Sequence, residues 1–203
     1  MTGRLLVASR NAKKLRELRR VLAAAGIEAL EVIGLDEVPE FPETPETGAT
    51  FEANATVKAV DGAVATGLPC VADDSGIEVD ALRGMPGVLS ARWSGSHGDD
   101  DANTALLLSQ LSDVPDERRG AAFVSACALA IPGQDPVVVR GEWRGRIVRE
   151  PRGENGFGYD PVFEPEGEDR TSAELSPEEK DAASHRGRAL AQLVPALARL
   201  ARA

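Results

Sequence analysis

The chain has 203 residues, enough to bury a substantial core, and its 42% hydrophobic and 28% charged residues are typical of a globular protein. Its formal net charge of −10 argues against binding duplex DNA or RNA, because affinity for a phosphate backbone is largely electrostatic. No run approaches the ~18 consecutive apolar residues of a membrane span, and the first residues lack the apolar core of a signal peptide. We therefore expect a cytoplasmic protein that binds neither membranes nor nucleic acid.

The first half of the sequence alternates strand and helix patterns. Residues 5–8 predict a buried strand, and the leucine spacing that follows predicts a helix ending near Gly26. Residues 27–33 predict a second strand, residues 51–66 an alanine-rich helix, and residues 99–111 a further helix.

The second half begins with two long strand patterns, residues 121–131 and 137–147, rich in Val, Phe and Trp. The turn-forming residues 132–136 between them predict an antiparallel hairpin. Alternating strands and helices followed by a hairpin indicate an α/β fold, with a mixed central sheet and flanking helices. The absence of repeats and of a low-complexity linker favours a single domain over residues 1–203.

The C-terminal region carries the signals of helix starts and stops. Ser176 followed by Pro, Glu and Glu is a capping-box pattern, which predicts a helix start. A stripe of Leu and Val over residues 190–200 predicts an amphipathic helix, and Gly187 and Pro195 predict a break or kink in it.

Cys70 and Cys127 each lie in a run of apolar or small residues. They have neither CxxC spacing nor a Cys/His pattern, so buried free thiols are favoured over a disulfide or a zinc site.

The most informative motif is Val-Ala-Asp-Asp-Ser-Gly at residues 71–76, where we expect an apolar strand to end. Carboxylates are disfavoured in strands and costly to bury unpaired, so Asp73 and Asp74 indicate a partner such as a metal ion. The alternative is a simple turn, since Asp, Ser and Gly are turn residues. Because successive strand side chains alternate, only one of the two carboxylates can face a metal directly unless the backbone turns.

A second motif is Ser-Arg-Asn-Ala-Lys-Lys at residues 9–14, between the first strand and the first helix. A helix N-terminus offers backbone N–H donors and a positive dipole end, and Lys14 adds a full charge, so the motif suits a polyphosphate. It lacks the glycines of a Walker A loop, and an ordinary Ser/Asn cap is the alternative.

Upstream of the Asp pair, Glu46 lies in a loop, and Asn54 and Lys58 follow one helical turn apart. One carboxylate from a loop and one from a strand end are a common way to hold Mg²⁺, which takes waters and substrate phosphates as its other ligands. Lys58 considered alone fits an ordinary surface lysine.

A third motif is the loop Gly-Glu-Asn-Gly-Phe-Gly-Tyr-Asp-Pro at residues 153–161. Its glycines permit close approach to a flat ligand, Phe157 offers a stacking face, and Asp160 offers an acceptor for ring N–H groups. This pattern fits a nucleobase pocket, although a glycine-rich hairpin with core aromatics would have the same composition. His185 and Arg186 could donate to carbonyl or phosphate oxygens.

In chain order, these motifs and Pro-Gly-x-x-Ser-Ala-Arg at residues 86–92 resemble the inosine/xanthosine triphosphate pyrophosphatases over residues 5–193. The resemblance implies a two-lobed α/β domain with a central cleft, usually as a homodimer. It also implies an enzyme that uses Mg²⁺ to convert purine nucleoside triphosphates, such as ITP, dITP and XTP, to the monophosphate and pyrophosphate. It implies Asp74 as proton acceptor and Glu46 with Asp74 as metal ligands. The substrate-binding positions it implies are Ser9, Arg10, Asn11, Ala12, Lys13, Lys14, Lys58, Ser75, Phe157, Gly158, Tyr159, Asp160, Lys180, His185 and Arg186.

Two positions depart from the family pattern. Ser9 stands where Thr is common and keeps the hydroxyl, and Ala53 stands where Glu is frequent, with Glu52 next to it expected to point elsewhere on the helix. Two other functions compete with this reading: a Maf-like nucleotide pyrophosphatase that prefers other bases, and a nucleotide-sensing or nucleic-acid-binding module without turnover. The basic first helix is the only feature that favours the module.

Overall fold

The computed structural model describes residues 3–42 and 44–202, which form six β-strands and five α-helices. The strands are β1 (Gly3–Val7), β2 (Leu30–Ile33), β3 (Cys70–Val79), β4 (Gly120–Ala130), β5 (Val137–Ile147) and β6 (Phe163–Pro165). The helices are α1 (Ala12–Ala24), α2 (Phe51–Thr66), α3 (Asp100–Gln110), α4 (Pro177–Ala183) and α5 (His185–Leu200).

The six strands form one sheet in the order β2-β1-β3-β4-β5-β6. β1 pairs in parallel with β2 and β3, whereas β6 is antiparallel to β5. Adjacent strands β4 and β5 are joined by residues 131–136, too short a connection for the crossover that parallel strands need. The predicted hairpin and the predicted mixed α/β sheet with flanking helices are thus both confirmed.

The chain divides into two compact units. The first comprises the chain up to Asp74, residues 125–141 and the chain from Arg186 onward. The second comprises residues 75–124 and 142–185.

Each unit has its own apolar core. In the first unit, the leucine stripes of α1 and α5 pack with apolar residues of β1, β2 and β4. In the second unit, Phe123, Trp143 and Phe163 pack with the apolar face of α3, and Phe163 meets both other rings edge to face. The single domain of two lobes stays a prediction.

The second strand is shorter than predicted. The N–H of Gly26 donates to Ala23, and the N–H of Ile27 donates to Leu22 at 2.9 Å. These bonds form the terminal motif of α1, with Gly26 at φ 67°, so Ile27 belongs to the helix end and β2 begins only at Leu30.

The sequence predicts that the third strand ends at the two carboxylates, but it does not end there. β3 continues to Val79, so Asp73 and Asp74 lie inside a strand and the turn alternative is wrong as well. The strand tolerates both carboxylates because each has its own cationic partner.

The predicted capping box at Ser176 is present at the start of α4. The break before the last helix falls at Ser184, and α5 runs through Gly187 and Pro195, so neither residue breaks the helix and a kink there stays a prediction. The backbone hydrogen bond lost at Pro195 is offset by the buried residues on the apolar face of α5.

Both cysteines are buried free thiols, as expected, and burial raises the pKa of each to about 12. Across residues 3–42 and 44–202, no helix combines the length and apolar character needed to cross a membrane.

Candidate active site

The carboxylates of Asp73 and Asp74 have separate sets of partners in the first unit. Asp73 is paired with Lys14 and Arg186, while Asp74 is bound by Asn54 and Lys58. Alternation of side chains along β3 separates the two sets. The expectation that only one carboxylate can face a given ligand is consistent with this arrangement.

Asp74, Glu46 and Lys58 form one cluster. The Lys58 ammonium lies 3.3 Å from Asp74 Oδ1 and 3.1 Å from Glu46 Oε1. Burial would lower the pKa of Lys58, but the Asp74 and Glu46 carboxylates raise it above its usual value, so Lys58 stays charged. The cluster brings together a loop, α2 and β3 around a single cation.

Asn54 connects this cluster to the loop that carries Glu46. Its Nδ2 donates to Asp74 Oδ2 at 2.9 Å, and its Oδ1 accepts from the N–H of Gly48 at 2.8 Å. A Cβ on Gly48 would lie 2.6 Å from Asn54 Oδ1, so only glycine fits there. The side chain of Asn54 therefore fixes both Asp74 and the loop backbone next to Glu46.

Asp73 is 8% exposed and binds two cations. Its Oδ1 lies 2.8 Å from Lys14 Nζ, and its Oδ2 accepts from Arg186 Nε at 3.2 Å. Glu17 approaches the same guanidinium at 3.6 Å. Lys14 and Glu17 are neighbours on α1, so this helix contributes one charge of each sign to the network.

The environments of the two carboxylates drive their pKa values apart. Burial would raise the pKa of Asp73, but the Lys14 and Arg186 cations hold it well below its usual range. At Asp74, burial outweighs the nearby Lys58 ammonium and raises the pKa. Adjacent acids with divergent pKa values are typical of sites that give two carboxylates different tasks.

The donor set around Lys58 suits a hard divalent cation. In the described part of the chain, no group of three or more His, Cys, Asp and Glu side chains could hold a metal ion. Two carboxylates beside one position do suit Mg²⁺, which commonly takes one or two carboxylates and completes its shell with water and substrate phosphate. Glu46 and Asp74 therefore fit a cation that is held jointly with a polyanion.

The loop at residues 9–14 begins α1. Asn11 is the N-cap, and its Oδ1 accepts from the N–H of Lys13 at 2.9 Å, so the capping alternative is correct for this residue. Ser9 Oγ accepts from the N–H of Asn11 at 3.2 Å. Arg10 and Ala12 are exposed, and Lys14 is held by Asp73. The dipole of α1 and the cations of its first turn remain suited to an anion.

A pocket of about 500 Å³ lies on one side of this loop. Its lining comprises Ser9, Arg10, Ala12, Leu15, Leu35, Asp36, Pro39, Glu40 and Phe41. Its lining does not include Lys14, Lys58 or the carboxylates of β3. The pocket therefore does not contain the charged cluster, although Ser9 and Arg10 of the anion-suited loop line one side of it.

In the second unit, the two aromatic residues of the loop at 153–161 differ in exposure. The Phe157 ring is 59% exposed, and the Lys180 ammonium lies 5.3 Å from its centre. Tyr159 is buried, and its hydroxyl donates to the carbonyl of Ser90 at 2.8 Å. Phe157 thus offers a stacking face, whereas the Tyr159 ring belongs to the core.

Asp160 organises the loop from within. Its carboxylate accepts from the N–H of Phe157 and from the Ser172 hydroxyl, each at 2.8 Å, and pairs closely with Lys180. Asp160 is only 2% exposed, and these internal bonds occupy its carboxylate. It is therefore not available as the acceptor for ring N–H groups that the sequence predicts. A Cβ on Gly156 would overlap Asp160 Oδ2, and its φ of 85° also requires glycine.

The remaining predicted substrate positions fall in both units. Ser75 is half-buried in β3 of the second unit. His185 stacks on Phe123, with ring centres 5.2 Å apart. The guanidinium of Arg186 lies on Asp73 in the first unit. The contribution of these residues to substrate binding stays a prediction.

The roles of Asn54, Glu17 and Ser172 in these networks emerge only from the structure. Asn54 carried a signal, because its i, i+4 spacing to Lys58 places both on one face of α2. Glu52, by contrast, pairs with Arg140 at 3.2 Å, so the expectation that it points elsewhere on the helix is confirmed. Nothing in the local pattern pointed to Glu17 or Ser172, because their partners are distant in sequence.

These features define a class: a mixed α/β protein with a carboxylate–lysine centre in one unit and a glycine-rich aromatic loop in the other. Comparison with known proteins identifies the family.

The profile of the Ham1 family matches residues 5–196. A dITP/XTP pyrophosphatase of Nocardia farcinica is 71% identical over 199 residues, which are 98% of this chain and 97% of that protein. The crystal structure of a nucleoside-triphosphatase / dITP/XTP pyrophosphatase from Mycobacterium abscessus is 68% identical with a TM-score of 0.83, over 96% of this chain and 99% of that one. The Staphylococcus aureus Ham1 protein is 38% identical with a TM-score of 0.88, over 98% and 100%. The chain belongs to the Ham1 family, and the resemblance seen in its motifs is confirmed.

Proposed function

We propose that this protein hydrolyses non-standard purine nucleoside triphosphates, such as ITP, dITP and XTP, to the monophosphate and pyrophosphate, and so removes them from the nucleotide pool. The observation that carries the proposal is the centre in which Asp74 and Glu46 share the Lys58 ammonium. The printed name of the 71% identical relative, dITP/XTP pyrophosphatase, supports it.

In the proposed reaction, water attacks the α-phosphorus, the bond from that phosphorus to the oxygen bridging to the β-phosphorus breaks, and pyrophosphate leaves. Asp74 accepts the proton of the attacking water. A raised pKa makes Asp74 a better proton acceptor than an ordinary aspartate, and burial supplies that shift. Asn54 holds the orientation of the carboxylate through its 2.9 Å hydrogen bond.

We propose Mg²⁺ as the cofactor, with Glu46 and Asp74 as its protein ligands. When bound, the ion supplies positive charge to the phosphate oxygens of the substrate. Lys58 adds a fixed charge at the same place, and Lys14, Ser9 and the N-terminus of α1 hold the rest of the triphosphate. Together these groups stabilise charge that develops on the leaving pyrophosphate.

The base is proposed to stack on Phe157, whose ring is largely exposed. Lys180, whose ammonium lies beside the Phe157 ring, is a donor that suits the 6-oxo group of hypoxanthine or xanthine. Adenine would present its 6-amino group to the same donor, and a buried mismatch of this kind supports large discrimination.

The proposal is tested by measuring pyrophosphate release from ATP, GTP, CTP, UTP, dTTP, ITP, dITP and XTP, with and without Mg²⁺. We expect monophosphate and pyrophosphate from ITP, dITP and XTP, loss of activity with a chelator and recovery with Mg²⁺. Initial release of a diphosphate and orthophosphate would contradict the assigned bond cleavage. Preference for other bases would favour the Maf-like alternative, and no turnover of any triphosphate would favour a binding module.

We also propose, from the family resemblance, that residues 1–203 form one domain, that the protein is a homodimer and that it is cytoplasmic. Light scattering coupled to size-exclusion chromatography tests the oligomeric state, because a monomeric mass would overturn the dimer.

A further inference from the structure

The first turns of α3 hold the backbone of the loop that carries Phe157. Asp100 Oδ2 accepts from the N–H of Gly158 at 2.7 Å, and the Thr104 hydroxyl donates to the carbonyl of Gly158 at 3.3 Å. Asp100 and Thr104 are spaced i, i+4, so they lie on one face of the helix. Both peptide groups that flank the Cα of Gly158 are therefore bound to α3.

The side chain of Asp100 does not cap α3. The N-cap of α3 is Asp99, whose side chain accepts from the N–H of Ala102 at 3.1 Å. The carboxylate of Asp100 instead binds a peptide group 58 residues away in sequence. A charged acceptor forms a stronger hydrogen bond than a neutral one, so this is the dominant contact of the pair.

The exposed ring is thus attached to backbone that is fixed on both sides. The N–H of Phe157 donates to Asp160, and the next N–H, that of Gly158, donates to Asp100. Glycine at 158, with φ of 60°, allows the chain to turn between these two anchors. The direction of the Phe157 side chain depends on this backbone, because its Cα lies between the two anchored N–H groups.

We propose that Asp100 and Thr104 are positioning residues for recognition of the base. They hold the Phe157 loop in its binding conformation before the nucleotide arrives, so that binding does not have to order it. The inference rests on the proposed function. Ordering a loop on binding weakens affinity, and a preformed loop avoids that loss. Asp100 and Thr104 therefore affect binding of the purine base and not of the triphosphate.

The test compares Asp100→Ala with Asp101→Ala. Asp101 is an exposed neighbour in the first turn of α3, so both variants lose one carboxylate near the positive end of the helix dipole. We expect Asp100→Ala to raise KM for ITP about tenfold, the scale of a lost charge-assisted hydrogen bond, with kcat changed less than about threefold. Asp101→Ala should match the wild type.

Two ligands separate recognition of the base from recognition of phosphate. Calorimetric binding of inosine monophosphate should weaken in Asp100→Ala by a factor similar to that seen in KM. Inhibition by free pyrophosphate, which has no base, should be unchanged. Equal weakening of both ligands, or an unchanged affinity for inosine monophosphate, would overturn the proposal.

Conservative variants keep the test decisive if Asp100→Ala folds poorly. Asp100→Asn keeps an acceptor for the Gly158 N–H and should recover most of the affinity, whereas Thr104→Val should weaken base binding about twofold to fivefold. Wild-type affinity for inosine monophosphate in Thr104→Val would refute the proposal.

Failure of the proposed function gives a different result. Wild-type protein that neither cleaves ITP nor binds inosine monophosphate would refute the function and the positioning role together. Wild-type protein that does both, with Asp100→Ala indistinguishable from it, would refute the positioning role alone.

Discussion

Charged side chains are used differently in the two regions that carry the proposed site. In the first unit, Asp74, Glu46 and Lys58 bind one another, and the Glu46 side chain is 44% exposed. In the second unit, Asp160 is 2% exposed and, like Asp100, binds the backbone of its own unit. In the first region the charged side chains themselves are proposed to contact the ligand. In the second region they hold the backbone of the loop that carries the uncharged Phe157 ring.

The difference follows from what each region is proposed to bind. A triphosphate and a divalent cation need opposite charges close to where charge develops, and paired side chains keep those charges balanced before the ligand arrives. A purine base needs a flat apolar face with a fixed direction, which a surface loop cannot provide without anchors. Three substitutions, one of them measured in two ways, test this contrast.

The largest effect is expected for Asp74→Asn. The variant removes the proposed proton acceptor and should lower kcat by about 10² to 10⁴-fold, the usual contribution of a positioned base. The assay is steady-state release of pyrophosphate from ITP, repeated at saturating Mg²⁺ because Asn also weakens metal binding. Near-normal turnover at saturating Mg²⁺ would remove Asp74 from the mechanism.

The next effect is a loss of stability in Asp73→Asn. Removing the carboxylate leaves Lys14 and Arg186 without their shared partner and should cost about 2 to 4 kcal/mol, or about 5 to 15 °C in Tm. Because the pKa of Asp73 is lowered in the folded state, its contribution is complete above the ordinary pKa of 3.8 and is lost as pH falls through the folded value.

Thermal unfolding of the wild type and Asp73→Asn should therefore differ most near neutral pH, and the difference should shrink below about pH 4. An equal Tm at neutral pH would show that the Asp73 network has no net stabilising effect.

Phe157→Ala tests the second region. Loss of stacking on a base is worth ~1 to 3 kcal/mol, so binding of ITP should weaken about 5- to 150-fold. Inhibition by free pyrophosphate serves as the control, since it has no base and should be unaffected. If pyrophosphate and ITP were weakened equally, the loop would have no specific role in base recognition.

The smallest effect is a gain in stability in Asp74→Asn without metal. Burial raises the pKa of Asp74, so its favourable contribution is present at acid pH and is lost as pH rises through the folded pKa. At neutral pH the neutral amide should raise Tm by a few degrees, on the scale of ~1 kcal/mol, while Glu46 still balances Lys58.

Scanning calorimetry in a chelator measures this change. A Tm below that of the wild type would mean that the charged form of Asp74 stabilises the metal-free protein, contrary to its raised pKa. Opposite signs for Asp73→Asn and Asp74→Asn would be the sharpest evidence that two adjacent acids have different tasks.

Local patterns were sufficient wherever short-range physics decides. The leucine spacing and Gly26 predicted α1 and its end, residues 51–66 predicted α2 to the residue, and Ser176 marked the start of α4. Helix periodicity, capping and turn chemistry depend on neighbours within a few residues, which the sequence shows directly.

Long-range pairing decided the rest. By itself, the sequence determined the α/β class, the family and the residue types of the proposed site. Only the tertiary structure decided that β3 continues through Asp73 and Asp74, because their neutralising cations come from α1, α2 and α5. It likewise decided that Asp160 binds its own loop and that Asp100 holds Gly158, contacts that depend on which distant segments meet and not on the pattern around either residue.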